Sequence, residues 1–93
     1  MYFEEFSQGD RFTTRPRVVT RTDMDIFAAL MGATDALFLN EKFGKKHGFK
    51  GPIAPGVLVL ALGVGTQYSM GLFDHIVAFL GINRLGFLGP VYP

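Results

Sequence analysis

The run Ile53-Ala54-Pro55-Gly56-Val57-Leu58-Val59-Leu60-Ala61-Leu62 constrains this chain more than any other stretch. It is apolar on every face of a helix, the pattern of a helix with protein all around it. Pro55 sits where a first helical turn begins, and there a missing N–H costs nothing. The spacing predicts a helix from this run to about Met70-Gly71, with Gly63 and Gly65 permitting close approach by another backbone. A helix of this kind needs a sheet wrapped around it. Only two other segments read as strands: Arg11 to Thr20, interrupted by Pro16, and Ile76 to Leu88, with Gly81 and Gly86 marking bulges. Two strands do not make an independently stable sheet. The expectation is therefore that another copy or further residues complete the layer.

The rest of the chain punctuates clearly. Three aromatics in Met1 to Phe6 lead to the turn signal Ser7-Gln8-Gly9-Asp10. Thr20-Arg21-Thr22-Asp23 has capping-box spacing with Asp in place of Glu. Ile26, Phe27, Leu30 and Met31 follow at helical spacing, and Gly32 is a natural stop. A helix over Arg21 to Met31 is predicted. Ala33 to Lys50 reads as irregular, with a short helical turn over Asn40 to Lys45.

With 93 residues the chain has room for one domain, and its 48% hydrophobic content is that of a core-former. Nine basic against eight acidic residues give a net charge of +1, and Lys42, Lys45, Lys46 and Lys50 form the one compact basic cluster. A solvated face is the plain reading of that cluster and a phosphate contact the sharper one; nucleic acid has no further support. No cysteine is present, which removes disulfide and thiolate chemistry. The start lacks the basic and apolar regions of a signal peptide. The apolar run from Ile53 to Val64 is too short to span a bilayer, so no membrane partner and a cytoplasmic location are expected.

The order of these segments resembles a known family. Phe3-Glu4-Glu5-Phe6 with Gly9-Asp10, the Thr-capped helix ending Ala28-Ala29-Leu30-Met31-Gly32, Ile53-Ala54-Pro55-Gly56, and Phe79-Leu80-Gly81 to Pro90-Val91-Tyr92-Pro93 are together similar to the MaoC-like dehydratases, the (R)-specific enoyl-CoA hydratase family. The resemblance implies an α+β hotdog fold, a long central helix wrapped by a curved antiparallel sheet. It implies one domain over 1–93, cut short on its C-terminal side, because the family continues past Pro-Val-Tyr-Pro with further strands. A homodimer or a complementary hotdog subunit is the implied partner, an acyl-CoA thioester the implied ligand, and no cofactor is required.

The family reaction is reversible hydration of a trans-2-enoyl-CoA by an Asp and a His on the loop after the first helix. The two exchange protons at the α-carbon and with the attacking water, which requires groups of different proton affinity close together. The family motif Asp-x-Asn-Pro-x-His-x-Asp falls on Ala33-Thr34-Asp35-Ala36-Leu37-Phe38-Leu39-Asn40. The Asp position is Ala33 and the His position is Phe38, and neither side chain can exchange a proton. Asp35 is the remaining catalytic candidate, with His47 and His75 as more distant bases. Ile53, Ala54, Pro55 and Gly56 are the substrate-binding candidates. Gly56 matches the backbone donor for the thioester carbonyl, or is a helix-start glycine that merely fits. The expected function is a hydratase-related acyl-CoA protein, non-catalytic by itself. The alternatives are an active lyase with a relocated dyad, a purely structural or assembly subunit, and a hotdog thioesterase, for which no nucleophile or base stands out.

Overall fold

The structure, a computed structural model, describes residues 1–32 and 36–93. A 3-10 turn at Phe3–Glu5 is followed by four helices: α1 (Arg21–Met31), α2 (Ala36–Leu39), α3 (Glu41–Lys46) and α4 (Gly56–Ser69). The first helix forms where the sequence places it, and its ends show why. The Asp23 N–H donates to Thr20 Oγ1 at 3.0 Å and the Thr20 N–H donates to Asp23 Oδ2 at 3.0 Å, closing the capping box. Gly32 ends the helix at φ +79°, a left-handed conformation that glycine adopts without strain, and its N–H reaches the Ala29 carbonyl at 3.3 Å.

α3 starts one residue later than the predicted turn, on an Asn40 side chain that accepts from the Phe43 N–H at 2.9 Å. The i,i+4 pair of Glu41 and Lys45, at 2.9 Å, lies along it and holds the Glu41 carboxyl below its usual pKa. α4 starts at Gly56, three residues past the beginning of the apolar run. Pro55 serves as its N-cap, and the Leu58 and Val59 N–H groups both donate to the Pro55 carbonyl, at 3.0 and 3.2 Å.

The core is small. Met24 and Ala28 of α1 are wholly buried, and Ala54 and Leu58 join Met24, with Val19, Phe27, Val59, Leu62 and Val91 packed around them. The chain is brought together here by contacts distant in sequence. The Ala54 N–H donates to the Val91 carbonyl at 2.8 Å and the Lys50 N–H to Tyr92 Oη at 3.0 Å. The Ile53 N–H donates to the Leu37 carbonyl at 3.3 Å, which ties α2 to the approach of α4.

Two expectations are corrected. The α+β hotdog with a curved antiparallel sheet is not what the chain forms: no strand is present among the described residues. Arg11 to Thr20 and Ile76 to Leu88 run without regular structure and make no ladder. Each lacks a neighbouring strand to supply acceptors for its N–H groups, and Pro16 removes one donor outright. Nor is α4 enclosed. Only Leu58 of its fourteen residues is buried, and Val57 and Tyr68 are about half exposed. Thr66 and Ser69 turn their hydroxyls back onto the helix, donating to the Gly63 and Gly65 carbonyls.

The result is an open molecule, 49 × 26 × 25 Å with a radius of gyration of 15.9 Å, where a compact chain of this length would have about 12 Å. Its accessible surface is 7355 Å², against about 5,300 Å² for a compact protein of this mass. Along Ile76 to Leu88, Val77, Leu80 and Leu88 are almost fully exposed.

Candidate functional site

The approach to α4 is tied down by the backbone bonds of Ile53 and Ala54 to Leu37 and Val91. Gly51, Pro52, Ala54 and Pro55 are buried. Gly44 of α3 packs so closely on it that a methyl group there would lie 2.2 Å from the Gly51 oxygen. Beside this segment opens a cleft of about 610 Å³, with Phe49, Ile53, Ala54 and Gly56 on one side and Phe87 to Val91 on the other. Val59 lies one helical turn further along α4 on the same wall.

Of the four substrate-binding candidates, Ile53, Ala54 and Gly56 line the cleft, and Pro55 lies buried as the cap of α4. Helix starts leave N–H groups without intrahelical acceptors, and Pro55 has no side-chain oxygen to occupy them. The wall at Gly56 therefore offers backbone donors and the positive end of the helix dipole. The other lining side chains are apolar, and none is ionisable.

The remaining candidates lie elsewhere. Ala33 and Asp35 are outside the described residues. Phe38, half-buried on α2, does not line the cleft. His47 caps the end of α3, its N–H donating to the Phe43 and Gly44 carbonyls and its ring against Phe43 at 4.4 Å between centroids. His75 stacks on Tyr2 at 3.7 Å with the rings 5° from parallel, beyond the far end of α4. Neither histidine lines the cleft.

The basic cluster also divides. Lys45 is engaged with Glu41, and Lys50 Nζ lies 6.0 Å from the centre of the Tyr92 ring, a cation–π distance. Among the described residues no group of three His, Asp or Glu side chains is placed to hold a metal ion. No helix among them is long and apolar enough to cross a membrane.

Residues 5–93 match the family described as the MaoC like domain. The chain belongs to the MaoC-like family. It is 32% identical over 96 residues to the uncharacterized protein YdeM of Bacillus subtilis (strain 168), with all of this chain and 66% of that one covered. Among solved structures, it is similar to the X-ray structure of a monoamine oxidase regulatory protein from Archaeoglobus fulgius. There the TM-score is 0.87 and the identity 36%, over 99% of this chain and 63% of the other. The MaoC-like chain thus spans a little under two thirds of the length of both relatives. Its backbone follows the path of the archaeal protein although the described residues form no strand.

Sequence reasoning missed the far wall of the cleft. Phe87 and Val91 face Gly56 and Ala54 across more than thirty positions of chain, and no local pattern encodes such a pairing. The available signal was Pro90-Val91-Tyr92-Pro93. In the sequence it reads as a family marker; in the structure its Val91 carbonyl and Tyr92 hydroxyl anchor Ala54 and Lys50.

Proposed function

We propose that this MaoC-like chain binds an acyl-CoA thioester in the cleft beside α4 and does not hydrate it by its own residues. The observation that carries the reading is the lining of the cleft: apolar side chains throughout, with backbone donors at the start of α4 as its polar element. Such a lining suits an acyl chain and a thioester carbonyl, since a binding site needs few polar groups if they converge. It offers nothing to take a proton from water. In the family alignment Phe38 and Ala33 occupy the positions of the acid–base pair, and His47 and His75 are engaged by Phe43 and Tyr2 away from the cleft. General acid–base chemistry needs its groups within hydrogen-bond reach of the reacting atoms. The apolar surface around Ile76 to Leu88 supports assembly with a second copy or a complementary subunit. The excess area, on the order of 2,000 Å², exceeds what one partner contributes to a standard interface.

The test pairs binding with turnover. The chain is incubated with crotonyl-CoA, its conversion to the 3-hydroxy product is followed, and its melting temperature is measured with and without the thioester. Stabilisation without conversion is expected. Conversion that disappears in Asp35→Ala would replace this reading with that of an active lyase. Stabilisation by neither crotonyl-CoA nor a longer acyl-CoA would leave an assembly module.

A further inference from the structure

Gly56 and Phe87 are fitted to one another in a way that the choice of glycine for a helix start does not explain. Gly56 has an ordinary helical backbone; the positive-φ glycines are Gly9, Gly32, Gly48 and Gly71. What excludes a side chain at Gly56 is space. A methyl group there would lie 2.7 Å from Cζ, 2.8 Å from Cε2 and 3.0 Å from Cε1 of Phe87, inside van der Waals contact for all three. The ring therefore rests on the first residue of α4, within the cleft itself.

The ring is held on one side only. Its residue remains 55% exposed, so one part of the ring contacts the helix and the rest meets solvent. It is carried between Gly86 and Gly89, at either of which an added methyl group would meet nothing within 4 Å. Two residues beyond Gly89 the chain becomes fixed, where the Val91 carbonyl accepts from the Ala54 N–H and Tyr92 Oη from the Lys50 N–H. Phe87 is thus an aromatic side chain on a short glycine-flanked span, anchored downstream at Val91 and Tyr92.

We propose that Phe87 is a displaceable gate that divides the cleft and sets the length of acyl chain it admits. The inference rests on the acyl-thioester reading above and adds the residue that limits specificity. A short acyl group occupies the space beside Ile53 and Ala54 with the ring in place. A longer one requires the ring to leave Gly56 and expose more of the wall towards Val59. Little buried area is lost when a half-exposed ring swings away, so the gate opens at modest cost to the fold.

The test has an arm with ligand and an arm without. Calorimetric dissociation constants for crotonyl-CoA, octanoyl-CoA and free coenzyme A are compared among the unaltered chain, Phe87→Leu and Phe87→Ala. Octanoyl-CoA is expected to bind roughly tenfold tighter to Phe87→Ala, crotonyl-CoA to change by less than about twofold, and Phe87→Leu to fall between. In the arm without ligand, Gly56→Ala is less favourable to the urea midpoint in the unaltered chain than in Phe87→Ala, where the ring it meets is gone. One chain-length profile shared by all three proteins overturns the gate and leaves the acyl reading standing. Absence of thioester binding by every chain overturns both, even if Gly56 and Phe87 remain coupled in urea. Additive effects of Gly56→Ala and Phe87→Ala overturn the contact on which the gate stands.

Discussion

The segment from Lys50 to Leu58 and the arm from Ile76 to Leu88 are both rich in apolar residues and glycine, yet only the first is fixed. The first is held by backbone hydrogen bonds to Leu37 and Val91, by the Tyr92 hydroxyl and by the close approach of Gly44 to Gly51. The arm makes no ladder, and Val77, Leu80 and Leu88 lie open to solvent. The difference is not hydrophobicity. An apolar segment becomes structure when its backbone polar groups also find partners, since burial without them is costly. The cleft forms where a fixed wall meets the near end of the loose one.

The comparison makes its strongest prediction at Gly44. A valine there would drive its Cβ into the Gly51 carbonyl, a backbone atom that cannot rotate away. Gly44→Val should cost about 3 kcal/mol in urea unfolding and release the 50–58 segment. A change below about 0.5 kcal/mol would mean that this wall is not held by that contact. Next is Met24→Ala, at a wholly buried position against Ala54 and Leu58. A loss of about 2–3 kcal/mol is expected by the same measurement.

A smaller effect is expected at the start of α1, where Thr20→Ala should remove about 1 kcal/mol of stability. The same cap predicts a pH dependence. Hydrogen bonds from Arg17 and from the Thr20 backbone and hydroxyl lower the Asp23 pKa from 3.8 to about 2. A carboxylate whose folded pKa is depressed stabilises the fold above its unfolded value and loses that contribution as pH falls through the folded one. Helicity of α1 by circular dichroism should therefore hold at pH 5 and fall between about pH 4 and pH 2, and Asp23→Asn should flatten that fall. The smallest effect belongs to the arm: in the monomeric chain, at concentrations too dilute for assembly, Leu80→Ser should change stability by less than about 0.5 kcal/mol. A large loss there would show that the arm is packed within the single chain and would dissolve the contrast.

How much of this could be read from the sequence followed the range of the interactions. α1 was readable to its ends because Thr20, Asp23 and Gly32 act within a turn of the residues they cap. α3 and α4 were placed, with starts displaced by one to three residues, because Asn40 and Pro55 each act locally. Val77, Phe79 and Ile82 carry a strand-like composition but form no strand among the described residues, because a strand exists only with a neighbour. The uniformly apolar α4 pointed to enclosure for the same reason: composition reports what a helix tolerates around it and not what is there. Three of the four binding candidates reached the cleft because they sit on the local entry to α4. Phe87 did not emerge because its partner is Gly56, thirty-one positions away, and glycine leaves no pattern to match.

The central claim is that the cleft beside α4 receives an acyl thioester and leaves it unchanged. The most direct measurement is an amide-resolved NMR titration with crotonyl-CoA that follows the ligand signals in the same tube. Saturable shifts are expected at Ile53, Ala54, Gly56, Val59 and Phe87, with the crotonyl double bond intact throughout. Shifts confined to Lys42, Lys45, Lys46 and Lys50, or loss of the double bond as the titration proceeds, would contradict that claim.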